Sequence, residues 1–160
     1  KEIDAIGKKF ELFRKSIGDD TIEKILAEAA EPAKVAMVNA APVSKESHLI
    51  RDGGGKSKRV EPENLKKSIQ IFTARKGKRK AALVGPVVSK RSKIRKLKGG
   101  PRVSKSKLAF YWKFVNYGTA RQAPNRFIEK ARSQSSGAVL AKLKGGINKY
   151  LDKKIQKIFD

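Results

Sequence analysis

Residues 111–131 read YWKFVNYGTARQAPNRFIEKA, and the reading of this stretch decides how the rest of the chain is arranged. Tyr111, Trp112, Phe114, Tyr117 and Phe127 lie in it and Phe110 just before it, in a chain with one Trp, three Tyr and seven Phe. Aromatic side chains bury the most surface per residue, so a chain with few of them that gathers them here is expected to place its packing centre here. The run Leu108–Tyr117 is read as a strand, Gly118 as the residue that permits a turn, and a helix is expected from about Asn125. Tyr111, Phe114 and Phe127 are expected to be core residues joining that strand to that helix.

Downstream, Phe127, Ile128, Ala131, Val139, Leu140, Leu143, Ile147, Leu151, Ile155 and Ile158 supply apolar positions for a long C-terminal helix. Gly137 and Gly145-Gly146 are candidates for bends, and Ser133–Gly137 is a candidate for a break. Upstream, Ala81–Val88 (AALVGPVV) reads as a strand whose Gly85-Pro86 suggests a bulge or an edge position. Leu65–Ala74 reads as its hairpin partner across a turn at Arg75–Lys78, with a period that is imperfect over Lys66–Ser68.

The N-terminal region is helical by periodicity. Ile3, Ile6, Phe10, Phe13 and Ile17 recur at helical spacing, Gly18 interrupts, and Asp20 with Glu23 resembles a capping arrangement for a restart. Ile22, Ile25, Leu26, Ala29, Ala33 and Ala36 continue the apolar stripe to about Asn39. Pro32 within it implies a kink or a new helix, and Ala41-Pro42 closes the region, because proline disfavours helix at the residue before it. From Val43 to Pro62 the composition turns to Ser, Gly, Lys and Glu, and a long loop with flexible stretches is expected. Its Gly53-Gly54-Gly55 lacks the preceding strand and the Gly-Lys-Ser/Thr helix start of a phosphate-binding loop.

The order is thus helix, helix, loop, three strands, helix. The expected class is α+β: a small antiparallel β-sheet of three or more strands packed against N-terminal helices and a long C-terminal helix. A chain of 160 residues is expected to form a single domain over 1–160, with a helical N-terminal region over 1–40, a loop over 43–63, a sheet over 64–118 and a helix over 124–159.

Charge narrows the function. Lys and Arg number 39 against 15 Asp and Glu, a formal net charge of +24. Self-repulsion on this scale opposes compaction, and an anionic partner is its leading explanation. The distribution is sharper than the total, because between Glu63 and Glu129 there is no acidic residue and 19 Lys or Arg. Within that block Lys76, Lys78, Arg79 and Lys80 cluster at the hairpin, and Lys90, Arg91, Lys93, Arg95, Lys96, Lys98, Arg102 and Lys105 fill the run Ser89–Ser106. These residues are the candidate contacts for nucleic acid or an acidic partner. Backbone phosphate is what they would touch, since no zinc-finger spacing, RNP-type aromatic motif or helix-turn-helix pattern accompanies them.

Catalytic and metal chemistry find little support. Without cysteine there is no disulfide, thiolate nucleophile or cysteine metal site. His48 is the one histidine and reads as an exposed loop residue. Asp19-Asp20 reads as helix capping, and Glu61 and Glu63 alone are a weak cation signal. No Gly-x-Ser-x-Gly, His-Glu-x-x-His or Rossmann fingerprint occurs, so no enzyme activity and no cofactor are expected. No apolar run approaches a membrane span and no hydrophobic signal core opens the sequence, so a soluble protein made in the cytoplasm is expected.

The order of motifs resembles a known family. Ala41-Pro42, Asn64-Leu65-Lys66-Lys67-Ser68-Ile69, Val84-Gly85, Tyr111-x-x-Phe114-Val115-x-Tyr117-Gly118-Thr119 and Ala123-Pro124-Asn125-Arg126-Phe127-Ile128-x-x-Ala131 follow the pattern of tailed-bacteriophage tail-completion and head–tail joining proteins, the minor tail proteins of the neck. The sequence departs from that pattern at Asn116, where the family usually has Glu, at Lys113, at the Asn125-Arg126 spacer, and in the length of Ser89–Ser106. Tyr111, Phe114, Tyr117, Gly118, Thr119, Pro124, Phe127 and Ala131 are the motif positions. The resemblance implies a structural virion protein that forms a ring, commonly hexameric, at the head-proximal end of the tail. Its implied partners are further copies of itself, the tail tube or terminator protein, the head connector and adaptor proteins, and genomic DNA in the lumen. A tail terminator of the same region, or a basic nucleic-acid-binding protein unrelated to phage, are the alternative readings.

Overall fold

A computed structural model describes residues 19–51, 57–76, 79–88, 95–96 and 109–159. The expected helix over Ile3–Ile17, the break at Gly18, the triple glycine and most of the basic run Ser89–Ser106 lie outside them.

Two helices open the described chain, α1 (Asp19–Ala29) and α2 (Glu31–Ala40). Asp19 and Asp20 begin α1, where the helix dipole favours negative charge. Of the two possibilities at Pro32, a new helix is the one realised: Pro32 sits in the first turn of α2, where its missing N–H costs nothing. Ala41 then adopts the extended conformation (φ −67°, ψ 128°) that Pro42 imposes, and its amide donates to the Met37 carbonyl.

The segment expected to be a loop instead holds an antiparallel ribbon, β1 (His48–Arg51) and β2 (Ser57–Val60), in register from His48↔Val60 to Arg51↔Ser57. Paired residues share a face. Val60 is buried and Ile50 half-buried against the core, while Leu49 and its partner Arg59 point outward, Leu49 with 72% of its surface exposed.

The strand expected over Leu65–Ala74 begins with a short helix, α3 (Asn64–Ser68), and becomes extended only at β3 (Ile69–Lys76). The imperfect period at Lys66–Ser68 is this turn of helix. Leu65 and Ser68 lie on its buried side, and the Ser68 hydroxyl, fully buried, donates to the Leu65 carbonyl (2.6 Å). β3 pairs with β4 (Arg79–Pro86) from Ile69↔Pro86 to Lys76↔Arg79 without interruption, so Gly85-Pro86 marks an edge strand and no bulge. The two-residue β5 (Arg95–Lys96) lies on the other side of β3, against Thr73 and Phe72.

The strand expected over Leu108–Tyr117 does not form. The Ala109 amide donates to the Val87 carbonyl (2.8 Å), the chain turns at Phe110-Tyr111, and α4 (Trp112–Tyr117) follows. The burial pattern is helical: Tyr111, Trp112, Val115 and Asn116 face inward, whereas Lys113, Phe114 and Tyr117 face out. Phe114, expected in the core, is 56% exposed.

The chain ends in α5 (Phe127–Phe159), 33 residues of unbroken helix. The candidate break at Ser133–Gly137 is not realised, because these turns of the helix are held from the side. Phe127 and Ala131 are buried in the main core, and the buried Ser135 hydroxyl donates to the Ala131 carbonyl (2.7 Å). That back-bond keeps the serine satisfied without leaving the helix, and packing outweighs the glycine's propensity cost of about 1 kcal/mol. The architecture is therefore α+β, with the N-terminal helices and small antiparallel sheets gathered beside a long C-terminal helix. The main core joins α2, the ribbon, α3, α4 and the start of α5 through Met37, Val60, Leu65, Tyr111 and Phe127, and a second cluster seats Ala27 and Ala30 of α1–α2 on Ile71 of β3.

Candidate functional site

Two features stand out at the surface, a cleft beside α4 and the basic end of the β3–β4 hairpin. The cleft depends on the junction between α4 and α5. A helix leaves its first amides without intrahelical partners, and here a residue from a different helix supplies one. The Asn116 side chain, completely buried, accepts the Ile128 amide at Oδ1 (3.1 Å) and donates from Nδ2 to Glu129 Oε1 (3.2 Å), while its backbone carbonyl accepts the Arg126 amide (3.0 Å). This is a capping arrangement made across the fold. Arg126 just before the helix is left-handed (φ 55°), a conformation that costs a non-glycine residue roughly 1–2 kcal/mol and is held by these bonds.

Gly118 is what allows the chain to turn from α4 toward Pro124. Its φ of 80° with ψ of −179° belongs to a region open essentially to glycine alone. A Cβ there would also sit 2.7 Å from the Gln122 carbonyl oxygen and 2.9 Å from the Pro124 nitrogen. Thr119 and Gln122 close the turn with a pair of backbone bonds (2.9 and 3.2 Å). Of the motif residues, then, Tyr111, Phe127 and Ala131 are core, Gly118 and Thr119 shape the turn, and Phe114, Tyr117 and Pro124 are exposed.

Between α4, α3 and the inner face of the ribbon lies a cleft of about 430 Å³. Val43, Ile50, Phe114 and Val115 give it apolar walls, and Glu61 and Glu63 give it charge. At its floor the Asn64 amide donates to the Tyr111 hydroxyl (3.3 Å), and burial pushes that hydroxyl above the ordinary phenol range, the bond from Asn64 acting the opposite way. Glu63, left-handed at φ 61°, pairs with Lys67 across one turn (2.9 Å), which holds its carboxyl below the usual range. Among the described residues there is no group of His, Asp or Glu arranged to hold a metal ion, and no helix long and apolar enough to cross a membrane.

The basic candidates sit elsewhere. Lys76 of β3 is registered against Arg79 of β4, and Arg75 against Lys80, so four basic residues occupy the last two rungs of the hairpin. Arg95 and Lys96 of β5 lie opposite Thr73 and Phe72, within a few residues of the same end. Lys78, Lys90, Arg91, Lys93, Lys98, Arg102 and Lys105 lie outside the described residues. His48 opens β1 opposite Val60. Sequence reasoning missed the hydrogen-bonding roles of Asn116 and Asn64, because a single asparagine carries no periodic signal. The one hint at Asn116 is its replacement of the residue that the phage pattern has there.

Residues 4–118 match the family described as "Bacteriophage HK97-gp10, putative tail-component". The chain belongs to the HK97-gp10-like family. The match takes in α1 through α4 and ends at Gly118, so the Pro124–Ala131 motif and α5 lie beyond it. No curated protein and no solved structure shows a significant match. Membership bears out the resemblance to tail-completion and head–tail joining proteins and places the chain among structural components of the phage tail, hence of the virion.

Proposed function

We propose that this tail component works in the neck of the virion, as a ring at the head-proximal end of the tail that completes the tail, joins it to the head and lets genomic DNA pass through its lumen. The single observation that carries the DNA side of this reading is the block from residue 64 to 128, with 19 Lys or Arg and no acid. A solvated surface has no need to exclude carboxylates, whereas a surface facing phosphate gains from it. Six of its described members, Arg75, Lys76, Arg79, Lys80, Arg95 and Lys96, lie on the β3–β4 hairpin toward its turn and on the β5 strand beside it, which makes this part of each subunit a concentration of positive charge. A ring would multiply it, since neighbouring copies sum their potentials over the lumen. Head connector, terminator and tube proteins are the expected neighbours along the tail axis, and assembly follows synthesis in the host cytoplasm.

The test replaces Lys90, Arg91, Lys93, Arg95, Lys96 and Lys98 together with serine in the phage. Tails should still assemble while head–tail joining or retention of packaged DNA falls, with the gap to wild type narrowing as salt is raised. Normal yields of infectious particles from the six-fold variant would overturn the reading.

A further inference from the structure

The cleft beside α4 and the exposed face of the β1–β2 ribbon complement each other, and they lie on opposite sides of the same ribbon. Ile50 contributes to the cleft, whereas Leu49, its neighbour, and Arg59, the cross-strand partner of Leu49, face away from it. We propose that the cleft is the seat of a second copy of this chain, which inserts the outer face of its ribbon, Leu49 and Arg59, against Phe114 and Glu61. The inference rests on the ring reading above and names the contact that would build it.

Charge selects the occupant. Lys and Arg make up 39 of 160 residues, yet the charged side chains seen to line this cleft are Glu61 and Glu63, with Lys58 placed by register on the same ribbon face as Ile50. Apolar walls carrying carboxylates favour an apolar segment with positive charge over a phosphate group. The outer ribbon face offers that: Leu49 is 72% exposed and Arg59 is exposed beside it. In the cleft, Phe114 is 56% exposed and Val43 46%, apolar surface on both sides that association would cover. Glu63 already shares its charge with Lys67 (2.9 Å), which leaves Glu61 as the carboxylate assigned to the incoming arginine.

The placement also determines what the contact builds. A knob and a socket on opposite sides of one element make a head-to-tail interface, and repetition of such an interface closes into a ring when each step adds a rotation. An isologous contact of one patch with itself would stop at a dimer.

The full-length chain and two variants, Leu49→Asp and Phe114→Asp, test this by light scattering. Wild type is expected to assemble, and each variant alone should assemble on the order of ten-fold or more weakly, as for loss of an apolar anchor. Mixing the two variants should yield one-to-one pairs and nothing larger, because only one intact knob and one intact socket meet. Either variant assembling like wild type, a mixture that rebuilds the full ring, or wild type that stays a single chain would overturn the proposal. Should one aspartate variant not fold, Arg59→Glu and Glu61→Lys provide a second route: each alone weakens assembly, and the two in one chain restore it. Failure of restoration counts against the contact. Failure of the tail reading would look different, as a wild-type oligomer that never appears in purified virions.

Discussion

The two ends of α5 are one helix in two settings. Its first three turns are sunk in the main core, with Phe127 and Ala131 essentially without exposed surface, Ser135 buried, and the leading amide tied to Asn116 of another helix. Its later turns leave Leu140, Ile147 and Ile155 at 52%, 42% and 46% exposure, and α1 is the described element that packs beside them. There Gly146 permits the approach: a Cβ at that position would stand 2.9 Å from the Ile25 side chain. The difference shows that sequence periodicity alone does not tell where a helix is held. The same apolar spacing runs through both halves, but only the first half meets side chains from α2, α3 and α4.

The contrast can be broken most severely at Phe127. Phe127→Ala removes a fully buried ring at the meeting point of the core and is expected to cost about 3–5 kcal/mol, read as a large fall in the denaturation midpoint. A loss below about 1 kcal/mol, far under the range for a buried ring, would mean that the first turns of α5 are not seated as described. Gly118→Ala comes next. Strain in a glycine-only conformation costs about 1–3 kcal/mol, and the clash with the Gln122 carbonyl adds to it, so thermal unfolding should shift down clearly. Unchanged stability would contradict the turn geometry.

Asn116→Ala leaves the Ile128 amide without its acceptor, a loss of about 1–3 kcal/mol for a buried unsatisfied group. Amide exchange should speed up at Ile128 while remaining unaltered at Leu151, and equal acceleration at both would argue that α5 responds as one unit. Substitution in the second half should do far less. Ile147→Gln is expected within about 0.5 kcal/mol of wild type, and a cost of several kcal/mol would show that this half is covered more fully than its exposure indicates.

The smallest effect belongs to Glu63. Lys67 lowers its folded pKa relative to the unfolded chain, so the stability it contributes is present above the ordinary glutamate range and is lost as pH falls through the lowered folded value. Both side chains are more than half exposed, so salt should mask the effect. Comparing wild type with Glu63→Gln over this acidic range, the difference in stability should shrink as pH falls. A difference that grows would reverse the assignment.

Much of the fold was legible where local pattern and tertiary packing agree. The stripe from Ile22 to Ala36, an interruption at Pro32, the stop at Ala41-Pro42 and the β3–β4 hairpin follow from period and proline chemistry, whereas the choice of a new helix over a kink at Pro32 does not. The failures share a cause. In α4 the exposed positions hold Phe114 and Tyr117 while a buried one holds Asn116, so polarity points the wrong way and the aromatics suggest a strand. The β1–β2 ribbon has too few apolar residues to announce itself in a Ser, Gly and Lys-rich segment, and depends on Ile50 and Val60 meeting the core. The continuity of α5 through Gly137 depends on contacts distant in sequence. The chemistry of the basic block was visible from composition, whereas the cleft required three separated segments to come together and had no local signature.

One consequence of the unbroken α5 is mechanical. At 1.5 Å per residue, 33 residues form a rod of about 50 Å, gripped near Asn116 at one end. Such a rod is a lever, and a tilt of only a few degrees at the grip displaces the far end by several ångströms. A tilt at the grip would be felt most in the turns beyond Leu151, past the last residues of α5 that share a groove with Ile22, Ile25 and Leu26.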